Sequence, residues 1–282
     1  MTKRGLSRRL QPIPIKRLIV GVGPIIGVDI LWAFLRHSPL VSAEMHVGLD
    51  FLATFLLVGG AIWVAGRLTG ETVPRVLHST GVSNSHLAPL LIGATACALF
   101  LSVYIWVLPF RGVSIELSFL RVAWVLTVVC FRGELVYRGV LFRLVRQGRS
   151  FSFAGTVTGV GFVIAHIDTL LKDWELHSGG MLGTSVMIVT WFVWSFALCV
   201  LYERGRCALW SCILLHLALG SDLLFDIQFH QGKSLDPVYM SVASAHKLLL
   251  PLLVMAVSWW ILPGRQKKGA DAHQPGRAEG RR

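Results

Sequence analysis

The chain has 282 residues, 54% of them hydrophobic and only 15% charged, with a mean hydropathy of +0.64. Soluble globular domains carry about 25% charged residues, so this balance excludes an ordinary soluble domain and implies a membrane protein. The formal net charge of +12 gathers in the tails and in the loops of one side. That pattern reads as a topology signal and an attraction for anionic lipid, not as a nucleic-acid-binding surface.

The chain opens on MTKRGLSRRLQPIPIKR. This basic stretch lacks the short apolar core and small-residue cleavage site of a signal peptide, so residues 1–17 are read as a retained cytoplasmic tail. A bilayer is crossed by about 20 apolar residues. Eight stretches meet that need: 18–35, 47–66, 87–108, 117–142, 151–170, 182–202, 207–225 and 240–262. The first is the weakest, because Pro24, Asp29 and the glycines 21, 23 and 27 interrupt it. The expected fold is all-α, a polytopic bundle of about eight transmembrane helices.

Eight spans put both tails on one side. That side holds Lys3, Arg4, Arg8, Arg9, Lys16 and Arg17 in the first tail and Arg265, Lys267, Lys268, Arg277, Arg281 and Arg282 in the last. Its loops add Arg67, Arg75, Arg132, Arg138, Arg143, Arg146, Arg149, Arg204 and Arg206, against only Arg36, Arg111, Lys172 and Lys233 on the other side. Cytoplasmic loops are the ones enriched in Lys and Arg, so both tails are expected in the cytoplasm. The expected location is a bacterial inner (plasma) membrane, crossed many times, and the final tail, 263–282, is expected to be disordered.

Within the fourth stretch, FRGELVYRGVLFR (131–143) places Glu134 and Arg138 four residues apart. A charge at mid-bilayer costs roughly 2.5–3.5 kcal/mol, so such residues face the bundle interior and have partners. Glu before Lys or Arg at this spacing is the favourable order for a helical ion pair, and a purely structural pair would look the same. The next stretch, GVGFVIAHIDTLL (159–171), buries His166. Glu134 and His166 are equally far in sequence from Ser150, in the turn Gly148-Arg149-Ser150. An antiparallel helical pair therefore sets them at one height, about 24 Å from the turn. A third stretch, GRCALWSCILLHLALGSDL (205–223), contributes His216. One membrane histidine is ordinary helix-to-helix packing. Two histidines and a Glu–Arg pair on three helices point to a site.

A carboxylate and an imidazole can hold one water and remove its proton. A second histidine or an arginine can stabilise the oxyanion formed when that water attacks an amide. An adjacent arginine favours the charged carboxylate over the neutral form that burial selects. Glu134, His166 and His216 could equally bind Zn²⁺ with a fourth position open for water. Residue types alone do not separate the two.

These segments resemble the CAAX-protease and bacteriocin-processing (CPBP, or Abi) family of intramembrane endopeptidases. That family carries Glu-Glu-x-x-x-Arg-Gly, then Phe-x-x-x-His, then His-x-x-x-Asn, on successive helices. GELVYRG (133–139) is similar to the first motif, FVIAH (162–166) matches the second, and HLALG (216–220) stands where the third belongs. The resemblance covers roughly 120–225. It implies a catalytic core over 116–230, preceded by membrane helices over 18–115 and followed by a final one over 231–262. It also implies cleavage of a membrane-anchored protein or peptide, prenylated C-terminal boxes among them, by a glutamate-dependent mechanism once read as metal-dependent. Glu134, Arg138, His166 and His216 take the catalytic positions, and Gly133, Phe162, Gly139 and Gly220 the supporting ones.

The departures are specific. Gly133 replaces the glutamate usually given the water-activating role, Gly220 replaces the asparagine, and Leu170 stands where a polar residue is sometimes found. Either Glu134 has become the base, helped by a glycine that relieves a crowded interface, or the fold survives as a non-catalytic, chaperone-like binder. A proton-coupled transporter using Asp29 with the same residues is a third reading, without the internal repeat such carriers show. A cysteine enzyme using Cys212 with His216, or Cys130, is a fourth. Cys97, Cys130, Cys199, Cys207 and Cys212 otherwise read as small apolar packing residues, the tryptophans as interfacial anchors, and Asp168, Lys172, Asp173, Glu175 and His177 as a solvated loop. Asp222 and Asp226 are placed near the outer end of the seventh stretch.

Overall fold

Each of the eight apolar stretches contains a helix. The computed structural model describes residues 12–36, 43–83, 86–102, 114–117, 119–167, 180–219, 225–228 and 237–262. In chain order the helices are α1 (Ile15–Arg36), α2 (Ala43–Thr69), the short α3 (Val73–Ser79), α4 (Leu87–Ser102), α5 (119–146), α6 (Phe151–Ala165), α7 (Gly180–Arg204), α8 (Leu209–Leu219) and α9 (Pro237–Ile261). The fold is helical as expected, with a short ladder beside the helices. Strands β1 (Ser114–Leu117) and β2 (Phe225–Gln228) pair antiparallel, with Ser114 opposite Gln228 and Glu116 opposite Asp226. The ladder joins the chain entering α5 to the chain that follows α8. Asp226, read as the end of a span, is therefore in a strand. Asp168, Leu170, Lys172, Asp173, Glu175, His177, Gly220 and Asp222 lie outside the described residues.

α5 is the axis of the bundle. It packs against α2, α6, α7 and α8, while α4 packs on α8, α7 on α9 and α1 on α2. Every residue from Glu134 to Phe142 is buried. Small residues set the close approaches, as in membrane bundles generally. A Cβ on Gly93 of α4 would come within 2.5 Å of the Ser211 carbonyl oxygen of α8. Gly155 and Gly159 of α6 make room for the rings of Phe196 and Phe192 of α7. At the α5–α6 turn Gly148 takes a φ of +69°, and the Ser150 hydroxyl accepts from the Phe153 N–H at 3.2 Å to cap α6.

Polar and apolar surfaces are distributed for lipid. Phe55, Leu56, Trp63, Leu249 and Trp260 point outward, whereas Asp29, Asp50, Glu134, Arg138, Thr158 and Ser195 are buried. A soluble protein does not leave so much apolar surface uncovered. Val47–Thr69 and Thr184–Arg204 are long and apolar enough to cross a bilayer, and 87–102, 151–165, 209–218 and 247–261 are shorter apolar helices. This is a membrane-embedded helical bundle.

Charges cluster where α2, α5 and α7 end. Arg143 pairs with Glu71, Arg146 donates to both carboxylate oxygens of Glu203 at 3.0 and 2.8 Å, and Arg149 reaches the Ile13 carbonyl. Arg132, grouped with these loop charges in the sequence reading, is instead held against Asp29 of α1 at 3.5 Å. The tryptophans divide by role. Trp260 is exposed and Trp259 lies under the Arg204 guanidinium. Trp194 is core, and Trp32 and Trp124 donate to Asp50 at 2.8 and 3.0 Å.

Candidate functional site

Glu134 ends a three-residue α-helical step, Arg132–Glu134, between two π-helical stretches, Val125–Phe131 and Leu135–Phe142. An unbroken α-helix is what the sequence predicts for this segment. The wider i→i+5 turns, rare outside functional sites, let neighbouring side chains engage three different helices. Glu134 meets His216 on α8, Tyr137 donates to Asp29 on α1 at 3.3 Å, and Arg138 reaches Ser195 on α7.

The centre of the site is one oxygen of Glu134. Arg138 Nη1 donates to Oε1 at 3.1 Å, and His216 Nδ1 lies 2.6 Å from the same atom. A carboxylate only accepts, so His216 is the donor there. Glu134 Oε2 is buried and has no hydrogen-bond partner among the described residues. Arg138, fully buried, gives Nη2 to Ser195 Oγ at 2.9 Å. Its guanidinium carbon also lies 4.6 Å from the centroid of Phe162.

Phe162 is the hub that brings in His166. Its ring meets Tyr137 edge-on at 5.8 Å, His216 at 5.6 Å and His166 at 4.4 Å between centroids. His166 is at the C-cap of α6, half-buried, just past the last residue of the regular helix. Its Nδ1 donates to the Phe162 carbonyl at 2.8 Å, and Trp191 lies 5.0 Å from its ring. Thus Glu134, Arg138 and His216 are in direct contact, and His166 joins them across one aromatic ring. Gly133 lies against the His216 ring. Gly139 admits Thr80, whose carbonyl accepts from Tyr202 OH at 3.0 Å.

Ser195 and Trp191 escaped the sequence reading. The Ser195 hydroxyl in TWFVWSFALC (190–199) has no spacing that marks it. Asp50 left a signal, an acidic residue inside the second apolar stretch.

Glu134, His166 and His216 are not grouped as a set of zinc ligands: among the described residues no group of three or more His, Cys, Asp or Glu side chains is placed to hold a metal. His216 Nδ1 and Glu134 Oε1 face each other, with a guanidinium beside them. Cysteine chemistry fits no better. The Cys212 thiol donates to the Leu198 carbonyl at 3.4 Å, while His216 is engaged with Glu134.

A family model described as Type II CAAX prenyl endopeptidase Rce1-like matches residues 115–220, more than a third of the chain. No curated protein and no solved structure matches. The matched segment runs from β1 to the residue after α8 and includes Gly133, Glu134, Arg138, Gly139, Phe162, His166, Ser195 and His216. Motif resemblance and family match thus agree: residues 115–220 are similar to the type II CAAX prenyl endopeptidase Rce1-like family.

Proposed function

We propose that this chain is an intramembrane endopeptidase that cleaves a membrane-anchored protein or peptide, with Glu134 as the base that activates water. The observation that carries the reading is the asymmetry of the Glu134 carboxylate. Oε1 is fixed by Arg138 and His216, and Oε2 has no hydrogen-bond partner among the described residues. A general base needs just such an oriented oxygen with a lone pair to offer.

In this reading Oε2 takes a proton from a water whose oxygen bonds to the carbonyl carbon of the scissile amide. The carbonyl π pair moves to oxygen. On collapse the C–N bond breaks, and the proton held by Glu134 passes to the leaving nitrogen. His166, with Nδ1–H given to the Phe162 carbonyl, flanks the site across the Phe162 ring. His216 stabilises the oxyanion and, through Nδ1–H, orients the Glu134 carboxylate. Arg138 keeps the carboxylate in place from within the bundle.

The family match supports a prenylated C-terminal segment as the substrate class, and the apolar exterior supports delivery from the bilayer. The charge distribution supports eight spans with both tails cytoplasmic in a bacterial inner membrane. The test compares protein termini in membranes holding the wild-type chain or Glu134→Gln. New termini on lipid-anchored proteins that require Glu134 support the proposal. Identical termini, with the same proteins co-purifying, would indicate a binding protein instead.

A further inference from the structure

Gly133 stands where the resemblance leads one to expect a glutamate, so it reads as a loss. The packing around it says otherwise. An ideal Cβ built on Gly133 would lie 3.1 Å from His216 Cε1 and 3.6 Å from Nδ1. Ordinary carbon contacts are about 3.5–4.0 Å. The imidazole would therefore have to give by a few tenths of an ångström to admit a side chain at 133. His216 is buried, and the Phe162 ring stands against it edge-on at 5.6 Å.

Gly133 and Glu134 are adjacent on α5, while His216 comes from α8. A side chain at 133 pushes the ring away from α5, which is also away from Glu134. The same ring, with Cε1 3.1 Å from the position of that Cβ, has Nδ1 2.6 Å from Glu134 Oε1. We infer that Gly133 is a positioning residue, and that its bare backbone is the seat that lets His216 reach Glu134. Side chains at 133, a glutamate included, break the site and do not restore it. A glutamate adds a second fault, since its carboxylate competes with Glu134 for the same Nδ1–H and for Arg138.

The consequence for cleavage rests on Glu134 being the base, but the histidine geometry does not. The test therefore has two readouts on the full chain in detergent. The first is the ¹⁵N imidazole spectrum of His216, assigned with His216→Gln, in wild type, Gly133→Ala, Gly133→Glu and Glu134→Gln. The second is cleavage by the same proteins and by the double variant Gly133→Glu/Glu134→Gln.

The Gly133→Ala signal is expected part of the way from wild type toward Glu134→Gln, with cleavage down about tenfold, and Gly133→Glu further still, by about a hundredfold or more. The double variant is expected not to cleave. An unchanged His216 signal in Gly133→Ala, increased cleavage by Gly133→Glu, or cleavage by the double variant would overturn the inference. If Gly133→Glu does not fold, the single methyl of Gly133→Ala decides. If the wild type cleaves nothing, the proposed function fails and the histidine spectrum alone decides the role of Gly133.

Discussion

Arg138 on α5 donates to Ser195 on α7, 2.9 Å away, through the nitrogen that Glu134 does not use. The guanidinium thereby bridges the site carboxylate to a helix 57 residues further along the chain. Ser195→Ala leaves a fully buried charged donor without its partner, which costs about 1–3 kcal/mol. The expected result is a lower melting temperature and slower cleavage, with Ser195→Thr retaining part of both. A melting temperature equal to wild type would show that Ser195 does not hold Arg138.

Elsewhere on α5, Tyr137 donates to Asp29 and Arg132 pairs with it. α1 lies outside the family match, yet it supplies the carboxylate that holds these two residues. Asp29→Ala strands a largely buried arginine and removes the partner of a buried hydroxyl, and a loss of at least 1–3 kcal/mol is expected. Because Tyr137 packs edge-on against Phe162, cleavage should fall with it. Chemical denaturation of Asp29→Ala beside Asp29→Asn checks this. Asparagine should be the milder change, since it still accepts from Tyr137.

Helix approach is a third point of sensitivity. Gly93→Ala places a methyl against the Ser211 backbone of α8, which has no flexible end to move aside. Overpacking of this kind costs about 1–3 kcal/mol. It also shifts the helix that carries His216. The expected outcome is reduced thermal stability, whereas Gly27→Ala, where no atom of the described residues lies within 4 Å of the added carbon, should be close to neutral.

Cysteine chemistry is separable from glutamate chemistry by Cys212→Ala. The Cys212 thiol is buried and directed at a carbonyl, so cleavage should stay within about threefold of wild type, the stability loss being that of a small buried group. Abolished cleavage in a folded Cys212→Ala protein would reopen the thiol reading.

Much of the site was legible because it violates its surroundings. Glu134, Arg138 and His216 stand out as polar groups in apolar runs, and each is where such groups must be, facing inward and partnered. The helices were legible for the same reason, as apolar stretches of membrane length. What the sequence hides is set by packing between distant segments. Ser195 becomes a partner only because α7 passes Arg138. Trp32 and Trp124 look like interfacial anchors until α1, α2 and α5 bring both indoles to Asp50. The π-helical turns of α5 leave no periodic mark, because Leu135–Phe142 is buried on every face and so has no polar stripe to shift. SIEL and FDIQ are too short to signal a ladder before their helices bring them together.

The most direct measurement is cleavage of a prenylated, membrane-anchored peptide by the purified chain in vesicles, comparing wild type with Glu134→Gln and with chelator present throughout. The account predicts a product from the wild type despite the chelator, and at least a hundredfold less from a folded Glu134→Gln. Cleavage undiminished in Glu134→Gln, or wild-type cleavage abolished by the chelator and restored by added zinc, would contradict it.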